Sequence, residues 1–215
     1  TTQPALKAIE AAAATLLTAK HPVISVNGNT AALASKDIVK LSKITKAKIE
    51  VNLFYRSLER EVAIKKLLEE AGATEVLGVG ENASARISEV GSERRRVDPR
   101  GILIADVVLV PLEDGDRTEA LVQMGKKVIA IDLNPLSRTA QFATITIVDN
   151  IVRAIPTLIE MVEKLKAKDK KKLGNTVSTF NNKKTMGEAI DLIHRRLSKL
   201  AKKGVYLPIL EVKEP

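Results

Sequence analysis

Apolar residues along this chain fall into two patterns. Short, nearly continuous runs rich in β-branched residues occur at HPVISV (21–26), KIEVNLF (48–54), TEVLGVG (74–80), DVVLVPL (106–112), KKVIAIDL (126–133) and ATITIV (143–148). Runs of this kind predict strands covered on both faces. Between them the apolar positions recur at helical spacing. The Ala- and Leu-rich stretch 4–19, residues 30–45, SLEREVAIKKLLEEAG (57–72), RTEALVQMG (117–125) and DNIVRAIPTLIEMVEKLKAK (149–168) read as helices. Ser57 is placed to cap its helix and Gly72 to end it. Arg60 stands where a capping box would carry Glu. Residues 81–101 are polar and read as an irregular, solvated excursion. Strands alternating with helices predict an α/β fold, Rossmann-like and doubly wound, with a mainly parallel sheet.

Charge divides the chain. Residues 1–162 hold 21 Lys+Arg and 20 Asp+Glu, whereas residues 163–215 hold 14 and 6. The overall net charge of +9 therefore belongs to the C-terminal quarter. We expect a Rossmann-like domain over residues 1–168, with residues 169–215 as a helical basic C-terminal appendage. Basic segments bind phosphate backbones nonspecifically. The near-neutral core and the five aromatics, Phe54, Tyr55, Phe142, Phe180 and Tyr206, argue against a base-stacking surface. The chain has no Cys, which excludes disulfides, thiolate metal sites and a Cys nucleophile. No apolar run is long enough to span a bilayer and no secretion signal is visible, so a cytoplasmic location without membrane contact is expected.

In doubly wound sheets, ligands sit beyond the carboxyl ends of the strands. The loops there are VNGN (26–29), NLFYRS (52–57), PLEDGDRT (111–118), DLNPLSRT (132–139) and VDN (148–150). Each carries several polar residues. Gly28 would let an anion approach the next helix, with Asn27 and Asn29 as neutral donors and Asn29 as the alternative cap. GVGENA (78–83) matches a dinucleotide fingerprint only weakly, and an ordinary turn is the better reading. Glu113, Asp114 and Asp116 suit either Mg²⁺ or a helix cap, with Asp116 favoured as the cap. Arg117 in the first helical turn opposes the helix dipole unless it meets an anion. The four arginines of ERRRVDPR (93–100) suit phosphates or carboxylates. Asp132 and Asn134 can read a ribose or a base edge, and Arg138 with Thr139 can hold a phosphate. Asp149 and Asn150 lie at the next strand end. Two such loops side by side point to a nucleotide. His21 and His194 have no partner at catalytic spacing.

The strings HPVISVNGN, KIEVNLFYR, ERRRVDPRG, ADVVLVPLEDGDRTEALVQMGKKVIAIDLNPLSRTAQ and ATITIVDNIVRAIP closely resemble the archaeal phosphopantothenate synthetases, also called 4-phosphopantoate–β-alanine ligases. The resemblance covers most of residues 1–162. It implies a Rossmann-like homodimer that joins 4-phosphopantoate to β-alanine, using ATP with Mg²⁺, and releases AMP and pyrophosphate in coenzyme A synthesis. It places the ATP contacts at Asp132, Leu133, Asn134, Arg138, Thr139, Asn150 and Ile151. It also implies a basic segment ahead of the stretch that begins at Thr1. On that reading Arg117 and Arg138 face anionic groups, while Asn27, Asn29 and Asn52 line the acyl or β-alanine region. The rival readings are a non-catalytic nucleotide-binding module and a nucleic-acid-binding protein.

Overall fold

A computed structural model describes residues 1–204. In chain order its strands are β1 (Pro22–Val26), β2 (Lys48–Val51), a short antiparallel pair β3 (Ala85–Arg86) and β4 (Arg96–Val97), then β5 (Val107–Pro111), β6 (Lys127–Asp132) and β7 (Ile145–Val148). The main sheet runs β2-β1-β5-β6-β7 and is parallel throughout. Its helices are α1 (Gln3–Thr18), α2 (Gly28–Thr45), α3 (Leu58–Glu70), α4 (Gly115–Gln123), α5 (Arg138–Phe142), α6 (Ile151–Leu165), α7 (Lys170–Thr179) and α8 (Asn182–Lys203). This is the doubly wound α/β arrangement that alternating apolar runs dictate. Among the described residues no helix is long and apolar enough to cross a membrane.

Strand register explains the core. Ile49, Ile24, Leu109, Ile129 and Ile145 stand opposite one another across all five strands. They form one apolar row covered by α1, α2 and α6. Val23, Val108 and Val128 make a matching row on the other face, covered by the excursion and α4. Helix α1 is buried on nearly every side, and its Ala5, Ala8, Ala11, Ala12, Ala13 and Ala14 are all inaccessible. Small side chains let α6, α7 and β7 approach its axis closely.

The appendage is docked where it is described. Leu173 of α7 joins the main core, and Thr185, Met186 and Ala189 of α8 are buried. The Asn182 side chain accepts from Thr146 N (2.8 Å) and donates to Ala143 O (3.0 Å). It thereby satisfies backbone groups at the β7 edge that would otherwise invite a further strand. Tyr206 and the rest of the appendage lie outside the described residues.

Several expectations need correction. TEVLGVG (74–80) does not form a strand of the sheet. Only Leu77 pairs, through Leu77 N to Ile49 O (2.8 Å) and Val51 N to Leu77 O (2.9 Å). The run ends because Gly78 and Gly80 adopt left-handed backbone, with φ of 77° and 58°. The excursion is not solvated, since Arg94, Val97 and Asp98 are buried and Ile87, Val90 and Ile102 fill the second face of the sheet. Helix α2 is capped by Asn27, not Asn29, and α4 begins after Asp114, not Asp116.

A Cβ on Gly78 would lie 2.5 Å from Val51 O and 2.7 Å from Glu50 Cγ. Gly78→Ala therefore combines a disfavoured φ with a clash against backbone, and should cost more than about 2 kcal/mol in urea denaturation. Gly91→Ala, where a Cβ meets nothing within 4 Å, should change stability little. Equal effects of the two would refute the packing account.

Candidate active site

The chain leaves β1 toward β2 on one side and returns to β5 on the other, so the strand order reverses between β1 and β5. Loops diverge at such a point and leave a crevice. Here it is a cleft of about 250 Å³, lined by Asn27, Gly28, Asn29, Arg60, Arg94 and Asp114, with the loop Leu53–Tyr55 along one wall.

Beneath the cleft lies a layer of buried charge. Glu113 follows β5 and its side chain is 1% exposed. One carboxylate oxygen pairs with Arg94 Nη1 at 2.7 Å, and the other pairs with Arg117. Arg94 Nε also reaches Asp114 Oδ2 at 2.6 Å. Arg117 is fully buried and donates to Ser25 Oγ (3.1 Å). The anion that Arg117 faces is thus Glu113, and its Nε and Nη2 have no hydrogen-bond partner among the described residues. Asn52 is fully buried as well. Its amide donates to Arg94 O (3.0 Å) and Arg96 O (3.1 Å), holding the arginine loop against β2.

The asparagines therefore have unequal access. Asn27 is 7% exposed and spends its side chain on structure. It accepts from Thr30 N (2.9 Å) and donates to Pro111 O (3.1 Å) and Leu112 O (3.0 Å), pinning β1 to β5 across the crevice. Asn52 sits below the wall, and Asn29 alone of the three is exposed. Glu113 has both carboxylate oxygens on arginines, and Asp114 shares Arg94 with it through one oxygen. Among the described residues no group of three or more His, Cys, Asp or Glu is placed to hold a metal.

The β6 loop stands beside the cleft. Asp132 organises it, accepting from Asn134 N (2.9 Å) and Ser137 Oγ (2.5 Å). Asn134 Oδ1 in turn accepts from Leu136 N (2.9 Å), while Leu133 is 60% exposed. Arg138 projects outward, pairs with Glu119 (2.5 Å) and lies over the Phe142 ring at 5.7 Å. A Cβ on Gly115 would fall 2.5 Å from Arg138 Cβ, so the arginine stem rests directly on the start of α4. Thr139 is buried, and its hydroxyl donates to Glu113 O (2.8 Å). At the next strand end Asn150 caps α6, accepting from Val152 N (3.0 Å), and Ile151 is buried. Asp149 accepts from Asn150 N (2.7 Å) and binds Arg153. The structure thus brings residues 132–139 and 149–151 together at neighbouring strand ends, and Thr139 joins them to the cleft.

The sequence matches the phosphopantothenate/pantothenate synthetase family over residues 4–196. The chain is 50% identical, over 96% of its length and 78% of the relative's, to 4-phosphopantoate--beta-alanine ligase of Thermococcus kodakarensis. The protein of the same name from Methanosarcina mazei is 51% identical over 95% of this chain and 80% of its own. This chain belongs to the phosphopantothenate/pantothenate synthetase family.

In this synthetase the group most easily missed in the sequence is Glu50. It lies in an apolar run, yet alternation turns it to the second face with Ser25, its partner across β1 and β2. Its fully buried carboxylate accepts from Asp98 N (2.9 Å) and Ile102 N (2.6 Å), clamping the excursion to the sheet. Burial is the dominant influence and pushes the carboxyl up to about 7, against those two N–H groups and the charge of Arg117. The signal available was a Glu at an inward position between Ile49 and Val51. Arg94 was visible only as one of four arginines.

A carboxyl raised from its ordinary 4.5 to about 7 holds its proton more tightly in the folded state. Its contribution is complete below the unfolded value near 4.5 and is lost as pH rises through about 7. The loss should amount to about 3 kcal/mol. Urea denaturation between pH 5 and 8 should show stability falling with pH, and Glu50→Gln should flatten that slope. Parallel slopes would remove Glu50 as the cause.

Proposed function

We propose that this chain is an ATP-dependent amide ligase that condenses 4-phosphopantoate with β-alanine to 4′-phosphopantothenate, the step its family serves in coenzyme A synthesis. Two relatives carry the ligase name at about half identity over nearly the whole chain. The observation that carries the reading at the level of geometry is the bond from Thr139 to Glu113 O. It ties the β6 loop, which this reading takes as the nucleotide loop, to the residue beneath the switch-point cleft.

The chemistry calls for such an arrangement. A carboxylate resists amines because it is anionic and has no good leaving group. Its oxygen attacks the α-phosphorus of ATP, the bond to pyrophosphate breaks, and an acyl-adenylate forms. The β-alanine amine then attacks the acyl carbon, AMP departs, and the nitrogen gives up a proton. The enzyme's share is to gather anions and aim an amine, tasks of electrostatics and orientation. Arg138 faces the nucleotide phosphates, with Asp132, Leu133, Asn134, Thr139, Asn150 and Ile151 shaping its pocket. Asn29 lines the acyl region directly. Asn27, Asn52 and Arg117 act from below, as positioning residues for the loops and for Arg94. With Glu113 and Asp114 bound to arginines, Mg²⁺ would ride on the ATP phosphates, where it offsets charge at the reacting phosphorus. Residues 1–168 form the ligase domain, the chain works as a cytoplasmic homodimer, and residues 169–215 are its basic appendage.

Purified chain incubated with Mg-ATP, 4-phosphopantoate and β-alanine should release AMP and pyrophosphate only when both organic substrates are present. ADP in place of AMP would refute the adenylate. Arg138→Ala should raise the KM for ATP at least about tenfold, since a charge-assisted phosphate contact is lost. Its thermal midpoint should barely move, because an exposed pair with Glu119 contributes at most about 1 kcal/mol. An unchanged KM for ATP would remove Arg138 from the nucleotide site.

A further inference from the structure

The geometry points to Arg60 as the residue that binds the remote anionic group, a carboxylate or phosphate, of an organic substrate in the switch-point cleft. The inference rests on the ligase reading for the identity of those substrates, but the site itself is read from charge and position.

Arg60 is electrostatically misplaced as a helix residue. It occupies the third position of α3, whose Ser57 cap accepts its backbone N–H at 3.4 Å. A cation there opposes the helix dipole, and a capping box would use Glu or Gln. The residue is exposed, but its side chain does not simply extend outward. It turns back, Nη1 donates to Tyr55 O at 2.7 Å, and the guanidinium lines the cleft. Its Nη2 lies 3.9 Å from the point where Gly28 would carry a Cβ. Tyr55 O thus fixes one edge of the fork and leaves the other directed at the start of α2.

Charge pairing around the cleft isolates this arginine. Arg94 is neutralised by Glu113 and Asp114, Arg117 by Glu113, and Arg56 by Glu61. Every carboxylate of the cleft and the layer beneath it that faces a cation is therefore taken. Among the described residues, Arg60 has no carboxylate within 4.0 Å, although Asp114 lines the same cleft. The neutral donors opposite it are also unspent. Asn27 uses its side chain on Thr30 N and its carbonyl on Ala31 N, leaving the N–H groups of Gly28 and Asn29 without partners among the described residues. An anion between Arg60 and Gly28 would meet a guanidinium edge and two backbone donors, with Asp114, the carboxylate that lines the same cleft, paired to Arg94.

The direction fits the proposed chemistry. The nucleotide loops lie at β6 and β7, on one side of the cleft, and Arg60 lies toward β2 on the other. A substrate reacting near the nucleotide directs its far end toward Arg60. Both organic substrates have an anion at that end: the phosphate of 4-phosphopantoate and the carboxylate of β-alanine.

The test compares the full chain with Arg60→Gln and Arg60→Lys. Arg60→Gln should raise the KM of one organic substrate at least about tenfold, a typical loss for one charge-assisted contact, with the KM for ATP within about twofold and part of the loss recovered by Arg60→Lys. A phosphate contact makes the penalty vanish when pantoate replaces 4-phosphopantoate. A carboxylate contact keeps it there and removes it with β-alaninamide. Organic-substrate KM values that stay within about twofold, or a uniform rise in all three, would overturn the assignment. Calorimetric titration of each organic substrate separates this site from the ligase reading. Weakened binding in Arg60→Gln alongside an inactive parent chain would sink the ligase and keep the anion site. Unaltered binding alongside an active parent would do the reverse.

Discussion

The buried carboxylate of Glu113, held between two arginines, is the constraint on which the cleft depends. A charge removed from water costs several kcal/mol unless it is paired and hydrogen-bonded. Glu113 meets that condition only if Arg94 arrives from the excursion and Arg117 from α4. The pairing therefore draws the excursion and the start of α4 to one point under the switch of strand order. Such a layer contributes modestly to net stability compared with apolar packing. Its effect is on geometry, since displacing either segment would leave a buried charge unpaired.

The same residue joins the two halves of the site. Its side chain organises the wall of the cleft, and its carbonyl receives the hydroxyl of Thr139. Gly115, two residues on, admits the stem of Arg138 where any Cβ would push it away. A loop that reads as an acidic metal or capping motif is in fact a joint between the β6 loop and the floor of the cleft. Its glycine is there for contact rather than for turning, because its backbone is helical.

Much of the architecture was legible because burial on two faces leaves a plain record. The runs at 21–26, 106–112, 126–133 and 143–148 became strands with small shifts at their ends. TEVLGVG failed because apolar content alone does not show whether the backbone can remain extended, and two glycines at positive φ prevent it. The loops that gather at the strand ends were legible as a cluster. Individual roles were not, since a polar residue at a strand end serves equally well as a cap, a brace or a ligand contact. Asn27 and Thr139 are braces, and only coordinates distinguish them. Glu50 and Arg94 were hidden for the opposite reason. A charged residue is ordinarily solvated, and although the apolar neighbours of Glu50 hint at burial, nothing local announces which distant partner will satisfy it.

Helix α1 carries a consequence for how the molecule is made. Its alanine surface is covered by α6, α7 and β7, which come from the far end of the sequence. Almost none of its burial is with neighbours in the chain. Contacts of such wide separation must wait for the intervening chain to be ordered, which slows folding. During synthesis α1 leaves the ribosome well before β7, α6 and α7. Until those partners are in place, α1 presents an apolar surface open to contact with other apolar surfaces.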